Sequence, residues 1–161
     1  MKTIARALAG RLLALALAAP LAAAGDFEAG VAAARAGDYP RAMKEWKPLA
    51  KAGKRDAQFN LGLLYENGLG VPQDRAAAAA WYRRAAELGH PAAQYNVGLF
   101  YAMGRSVEPS DIEGYAWLKV GEENGAPPTG LLETLKKNMA PARLEEAEGR
   151  ADAVRRHCKL D

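Results

Sequence analysis

An all-α fold of stacked helix pairs is what this sequence predicts, and three observations predict it. Two twelve-residue stretches, AQFNLGLLYENG from Ala57 and AQYNVGLFYAMG from Ala93, are nearly identical and lie 36 residues apart. The same offset continues through Trp81 and Trp117, Gly89 and Gly125, and Pro91 and Pro127. Within each copy, apolar residues recur at helical spacing between Gly- and Pro-rich breaks. A repeat of this length marks supersecondary units that stack because none can bury its apolar face alone.

Residues 1–24 read as a secretory signal peptide. Lys2, Arg6 and Arg11 precede a short apolar run from Leu12 to Ala19, and Ala22 and Ala24 make a small-x-small site before Gly25. The run is too short and too rich in alanine to span a bilayer, so cleavage rather than stable membrane insertion is expected. No cysteine stands immediately after the site, so no bacterial lipid anchor is expected either. The expected location is periplasmic or secreted, in a bacterium. Losing the three basic residues turns the whole-chain balance of 22 basic and 19 acidic residues into 19 of each. A near-neutral chain gives little support to nucleic acid as a partner.

The first unit, residues 25–55, has a helix from about Asp26 to Ala36 and a second carrying Ala42, Trp46, Leu49 and Gly53. These four stand 36 residues before Ala78, Tyr82, Ala85 and Gly89. Gly30, however, leads Gly62 by only 32, so the turn AGDYP is four residues shorter than its counterparts.

In the second unit, residues 56–90, Ala57, Leu61, Leu64 and Tyr65 form one helix face, and Gly62 lets a neighbouring helix approach. ENGLGVPQD ends that helix: Gly68 and Gly70 tolerate positive φ, and Pro72 cannot continue the ladder. Asp74 is the expected N-cap of the next helix, which Gly89 stops. The third unit, residues 91–126, has Ser106 in place of Gly70 and Gly114 and Gly121 in place of Ala78 and Ala85. A different loop and a weaker second helix are expected there, since an interior glycine costs about 1 kcal/mol against alanine.

Residues 127–161 lie beyond the repeats. Leu131, Leu132, Leu135 and Met139 suggest one helix and Pro141 to His157 another, with Glu145, Glu146, Glu148, Arg150, Arg155 and Arg156 outside. This pair is expected to cap the stack. The one cysteine, Cys158, falls on the stripe Leu144, Ala147, Ala151, Val154, so a thiol partly covered by a helix face is expected. An intermolecular pairing stays open.

The short turn of the first unit resembles a tetratricopeptide repeat. The pattern AxxNxGxxYxxGxGV followed by WYxxAAELGH in the longer units resembles the related Sel1-like repeat family. The resemblance implies a right-handed α-α superhelix, a solenoid of antiparallel pairs whose first helices line a concave face. It also implies a scaffold or adaptor that binds another protein or peptide. The candidate concave-face residues are Phe59, Leu63, Glu66 and Asn67 on one helix and Tyr95, Leu99, Ala102 and Met103 on the next, with Gln58 and Gln94 orienting the guest. An apolar groove with an adaptable methionine suits a helix or extended peptide. The bland alternative is that these residues pack within the superhelix or against the C-terminal helices. Self-association is a further possibility.

No catalytic constellation is expected, nor any metal or other cofactor. His90, in the turn LGHPA, reads as turn-stabilising; a lone imidazole is a poor metal site. His157 and Cys158 are adjacent in sequence and so lie on different helix faces. Glu122, Glu123, Glu145 and Glu146 read as solvated faces, with Arg143 and Arg150 as ordinary surface partners. Some bacterial Sel1-like proteins are labelled β-lactamases, which makes that activity, or binding of peptidoglycan-derived ligands, the alternative. Those proteins carry paired cysteines in every repeat; this chain has none, and no Ser-x-x-Lys.

Overall fold

The computed structural model describes residues 25–158, so the segment read as a signal peptide lies outside the described residues. Among these, the regular structure is eight α-helices: α1 (Phe27–Arg35), α2 (Tyr39–Lys51), α3 (Arg55–Asn67), α4 (Arg75–Glu87), α5 (Pro91–Met103), α6 (Asp111–Glu123), α7 (Leu131–Asn138) and α8 (Pro141–Cys158). From α1 to α6 each helix packs on the next in sequence, as a solenoid of helix pairs requires.

Local chemistry sets the boundaries. Asp26, Asp38, Asp74 and Ser110 each accept a backbone N–H in the first turn of the helix that follows, which satisfies donors the helix leaves orphaned. Gly68 and Gly104 end α3 and α5 in the left-handed region, at φ 65° and 61°.

One device repeats three times in the packing. A glycine on the first helix of a pair receives a large side chain from the second: Gly30 takes Trp46, Gly62 takes Tyr82, and Gly98 takes Leu118. A Cβ at Gly62 would stand 2.5 Å from the Tyr82 ring, and one at Gly98 would stand 2.7 Å from Cγ of Leu118. The recurrence of glycine at these positions is thus a packing requirement.

A second device joins one pair to the next. Gln58 and Gln94 are buried, and each donates its side-chain amide to a carbonyl near the end of the preceding pair, Ala50 at 3.0 Å and Ala86 at 3.1 Å. The expectation that they orient a guest is therefore corrected: their amides clamp neighbouring units. Asn124 completes the second clamp by donating to the Gln94 oxygen at 2.8 Å.

The third unit corrects two expectations. Ser106 holds φ at 58°, close to the 72° of Gly70, so the loop keeps the same left-handed turn in spite of the side chain. Gly114 and Gly121 lie where α6 presses on α5: a Cβ at Gly121 would meet the Tyr95 nitrogen at 2.9 Å. The helix propensity they lose is offset by that close approach, and α6 is as long as α4.

The C-terminal helices differ from a simple cap. α7 packs on α6 and buries none of its residues fully, whereas α8 lies along α6 and also reaches α4. The apolar stripe is as expected, with Ala147, Ala151 and Val154 buried and Cys158 half-buried, its thiol donating to the Ala86 carbonyl at 3.4 Å. Three residues placed outside from the sequence are instead bound to α6. Arg150 pairs with Glu113, Arg155 with Glu123 and Asp152, and Glu148 accepts from Lys119 and from the Tyr115 hydroxyl. Those two donors, the lysine first, hold the Glu148 carboxyl below its ordinary range. Glu123 is therefore engaged, and Glu122 is half-buried with one oxygen shielded and unpartnered, so neither is a plain solvated carboxylate.

Two clusters form the core. One joins Ala33, Ala42, Trp46, Ala57, Leu61 and Leu64 of the first three helices. The other extends from Ala78, Tyr82 and Val97 through Trp117 and Val120 to Ala151 and Val154.

Candidate functional site

Each first helix has a face turned toward its own second helix, marked on α5 by Gly98 and Ala102 against α6. A second face is turned toward the preceding unit, marked by the buried Val97 and Phe100. What remains open on α5 is the stripe Ala92, Asn96, Leu99, Met103, and on α3 the matching stripe Asp56, Asn60, Leu63, Asn67. Both follow the three-and-four spacing that puts residues on one helix face.

The eight sequence-predicted residues divide against this frame. Asn67, Leu99 and Met103 lie on the open stripes, whereas Leu63, on the same face of α3 as Asn67, packs against the second core cluster. Met103 is 56% exposed, one of two large apolar side chains so placed among the described residues, the other being Leu88 at 40%. Phe59 turns inward, 5.6 Å from the Tyr82 ring and stacked on His90 at 4.3 Å. Glu66 accepts the Tyr82 hydroxyl at 2.6 Å and lies 3.9 Å from Arg105. Burial first, then this carboxylate, push the Tyr82 hydroxyl well above its ordinary range, with Asn96 opposing. Tyr95 is tied through its hydroxyl to Thr129 at 2.5 Å, and Ala102 backs onto Gly114.

Sequence reasoning missed Asn60 and Asn96. They stand out only as part of the repeat pattern, yet they lie three residues before Leu63 and Leu99 and share their face. Counting by three from the leucines finds them.

The Sel1 repeat family model matches residues 55–90 and 91–125, the stretch that holds both stripes. The chain is a Sel1-like repeat protein. Two solved structures agree. One is a protective antigen present in uropathogenic Escherichia coli strains that displays an SLR fold; it is 29% identical, with a TM-score of 0.65 over 82% of this chain and 31% of that one. The other, a Sel1 repeat protein from Oxalobacter formigenes, is 26% identical with a TM-score of 0.65 over 80% of this chain and 56% of its own. This chain therefore spans less than two thirds of either. Comparison with curated proteins gives no match.

The junction between the two Sel1-like units is held by His90. Its Nδ1 accepts from the Ala93 N–H at 3.2 Å, capping α5, while the ring stacks on Phe59. Burial lowers its pKa below the ordinary 6.5, with Asp56 partly offsetting. A depressed pKa means the neutral ring stabilises the fold fully above pH 6.5, and this contribution is lost as pH falls through the lower folded value. The expected result is a melting temperature that drops on acidification below about pH 6.5. In His90→Asn, whose side chain also caps but does not titrate, that part of the slope should vanish; an unchanged slope would remove His90 as its source.

Among the described residues no group of three His, Cys, Asp or Glu is placed to hold a metal ion, and no helix is long and apolar enough to cross a membrane.

Proposed function

We propose that this Sel1-like protein is an exported, non-catalytic binding module that takes a segment of another protein along the open stripes of α3 and α5. Leu99 and Met103 provide the apolar anchor, and Asn60 and Asn67 provide hydrogen bonds to a main chain that lies across them. The observation that carries this reading is the exposed Met103 beside the half-buried Leu99, on a face that the described helices leave uncovered. An unbranched thioether adapts to varied apolar surfaces. Phe59 and Glu66 have no part in it, being used inside the fold.

The test is affinity capture from an envelope extract of the source cell, comparing the wild-type chain with Leu99→Asp/Met103→Asp. A partner retained by the first and lost by the second, at unchanged helicity, is the expected result. Equal retention by both baits would move binding off this face, and capture of only the chain itself would make the module self-associating. The intact mass of the protein recovered from the envelope should correspond to a chain starting at Gly25.

A further inference from the structure

The junction between the first and second units differs from that between the second and third in a way that opens a pocket. In the first junction Met43 packs against the core cluster that holds Leu61 and Leu64. The loop glycine Gly70 closes on the start of α2, where a Cβ would stand 2.8 Å from Cβ of Tyr39 and 2.9 Å from the Pro40 nitrogen. Thirty-six residues on, Met43 is replaced by Ala79, Pro40 by Ala76, Lys44 by Ala80 and Gly70 by Ser106. Three side chains shorten, and the loop gains a Cβ that cannot approach the start of α4 as Gly70 approaches α2. The space between α4, α5 and the α5–α6 loop is a pocket of about 260 Å³.

Its walls are apolar, from Ala79, Val97, Phe100 and Val107, and its polar groups are Arg83, Tyr101 and Ser106. Arg83 is half-buried between acceptors: Nε donates to Glu87 at 2.8 Å and Nη1 to the Tyr101 oxygen at 3.1 Å. Because Tyr101 accepts there, its own proton is left to donate, and Nη2 of Arg83 has no acceptor among the described residues. The polar edge therefore offers donors at adjacent positions. A carboxylate matches such a pair, since charge-assisted hydrogen bonds to arginine are the strong ones. As to size, an apolar cavity of about 150 Å³ holds a benzene, so this one suits a chain of roughly eight carbons or a fused ring pair.

We propose that this pocket binds a small amphiphilic carboxylic acid, its apolar body in the place Met43 fills one unit earlier and its carboxylate at Arg83 and Tyr101. The site is separate from the open stripes of α3 and α5.

The experiment is calorimetric titration of the full chain with octanoate and, in parallel, with octanol. Saturable one-to-one octanoate binding is expected. Ala79→Met, which restores the side chain of the first junction, should weaken it at least tenfold without lowering the melting temperature. Arg83→Gln should weaken octanoate about tenfold and leave octanol unchanged. If Ala79→Met does not fold, Ala80→Phe at an exposed position on the same pocket wall provides the same obstruction. No saturable binding by the wild type, or equal binding by the obstructed variants, overturns the proposal. Equal loss of octanoate and octanol in Arg83→Gln overturns the carboxylate assignment.

Discussion

Tyr82→Ala is expected to destabilise the fold by about 3–5 kcal/mol and lower the melting temperature by on the order of 10 °C. The ring is fully buried, touches Phe59 and Phe100, and lies in the socket that Gly62 leaves open. A glycine has no side chain to swing into the vacated space, so the cavity cannot collapse and the cost belongs at the upper end of the range. Tyr82→Phe isolates the hydroxyl: losing its bond to Glu66 should cost only about 1 kcal/mol, because the ring still fills the socket. Chemical denaturation of the two variants checks both figures, and a Tyr82→Ala loss no larger than that of Tyr82→Phe would mean that the socket carries no weight.

Gly62→Val is the converse change and is expected to cost about 3 kcal/mol or more, by forcing side-chain carbons into a ring 2.5 Å from the new Cβ. The two residues form one contact, so their effects cannot add. In the Tyr82→Ala background the valine enters an empty socket, and most of its penalty should disappear. A double-mutant cycle measures this directly. Additive penalties would place the strain of Gly62→Val somewhere other than the aromatic ring.

The sockets were legible in the sequence because they are local and repeated. Gly62 and Gly98 recur at the 36-residue offset, and the glycine reads as admitting a neighbouring helix, although the side chains that fill the sockets, Tyr82 and Leu118, emerge only from the packing. The stripe of α8 was legible for the same reason, as helical spacing within one element. What the sequence did not disclose were contacts between elements that do not repeat. Glu113 with Arg150 and Glu123 with Arg155 join residues more than 30 positions apart and occur once, so no period announces them. The inward turn of Phe59 and Glu66 escaped for a related reason: a helical wheel ranks faces but does not say which face a neighbour occupies. Gln58 and Gln94 show the limit of recurrence itself, since it marks a constraint without saying whether the constraint is internal or external.

The reach of α8 across α6 to α4 alters the folding behaviour of the chain. A simple array of repeats behaves as a row of nearest-neighbour couplings, in which an end unit can melt while its neighbours hold. Here the last helix ties together the second helices of two successive units, and Ala151 and Val154 share one core with Ala86 and Trp117. Those two units must therefore order and disorder as a single cooperative block that is complete only once residues near the C-terminus are in place. The first pair, whose core is separate, is attached to that block through α3. A chain that emerges N-terminus first would complete the small outer cluster first and hold the larger one open until α8 follows.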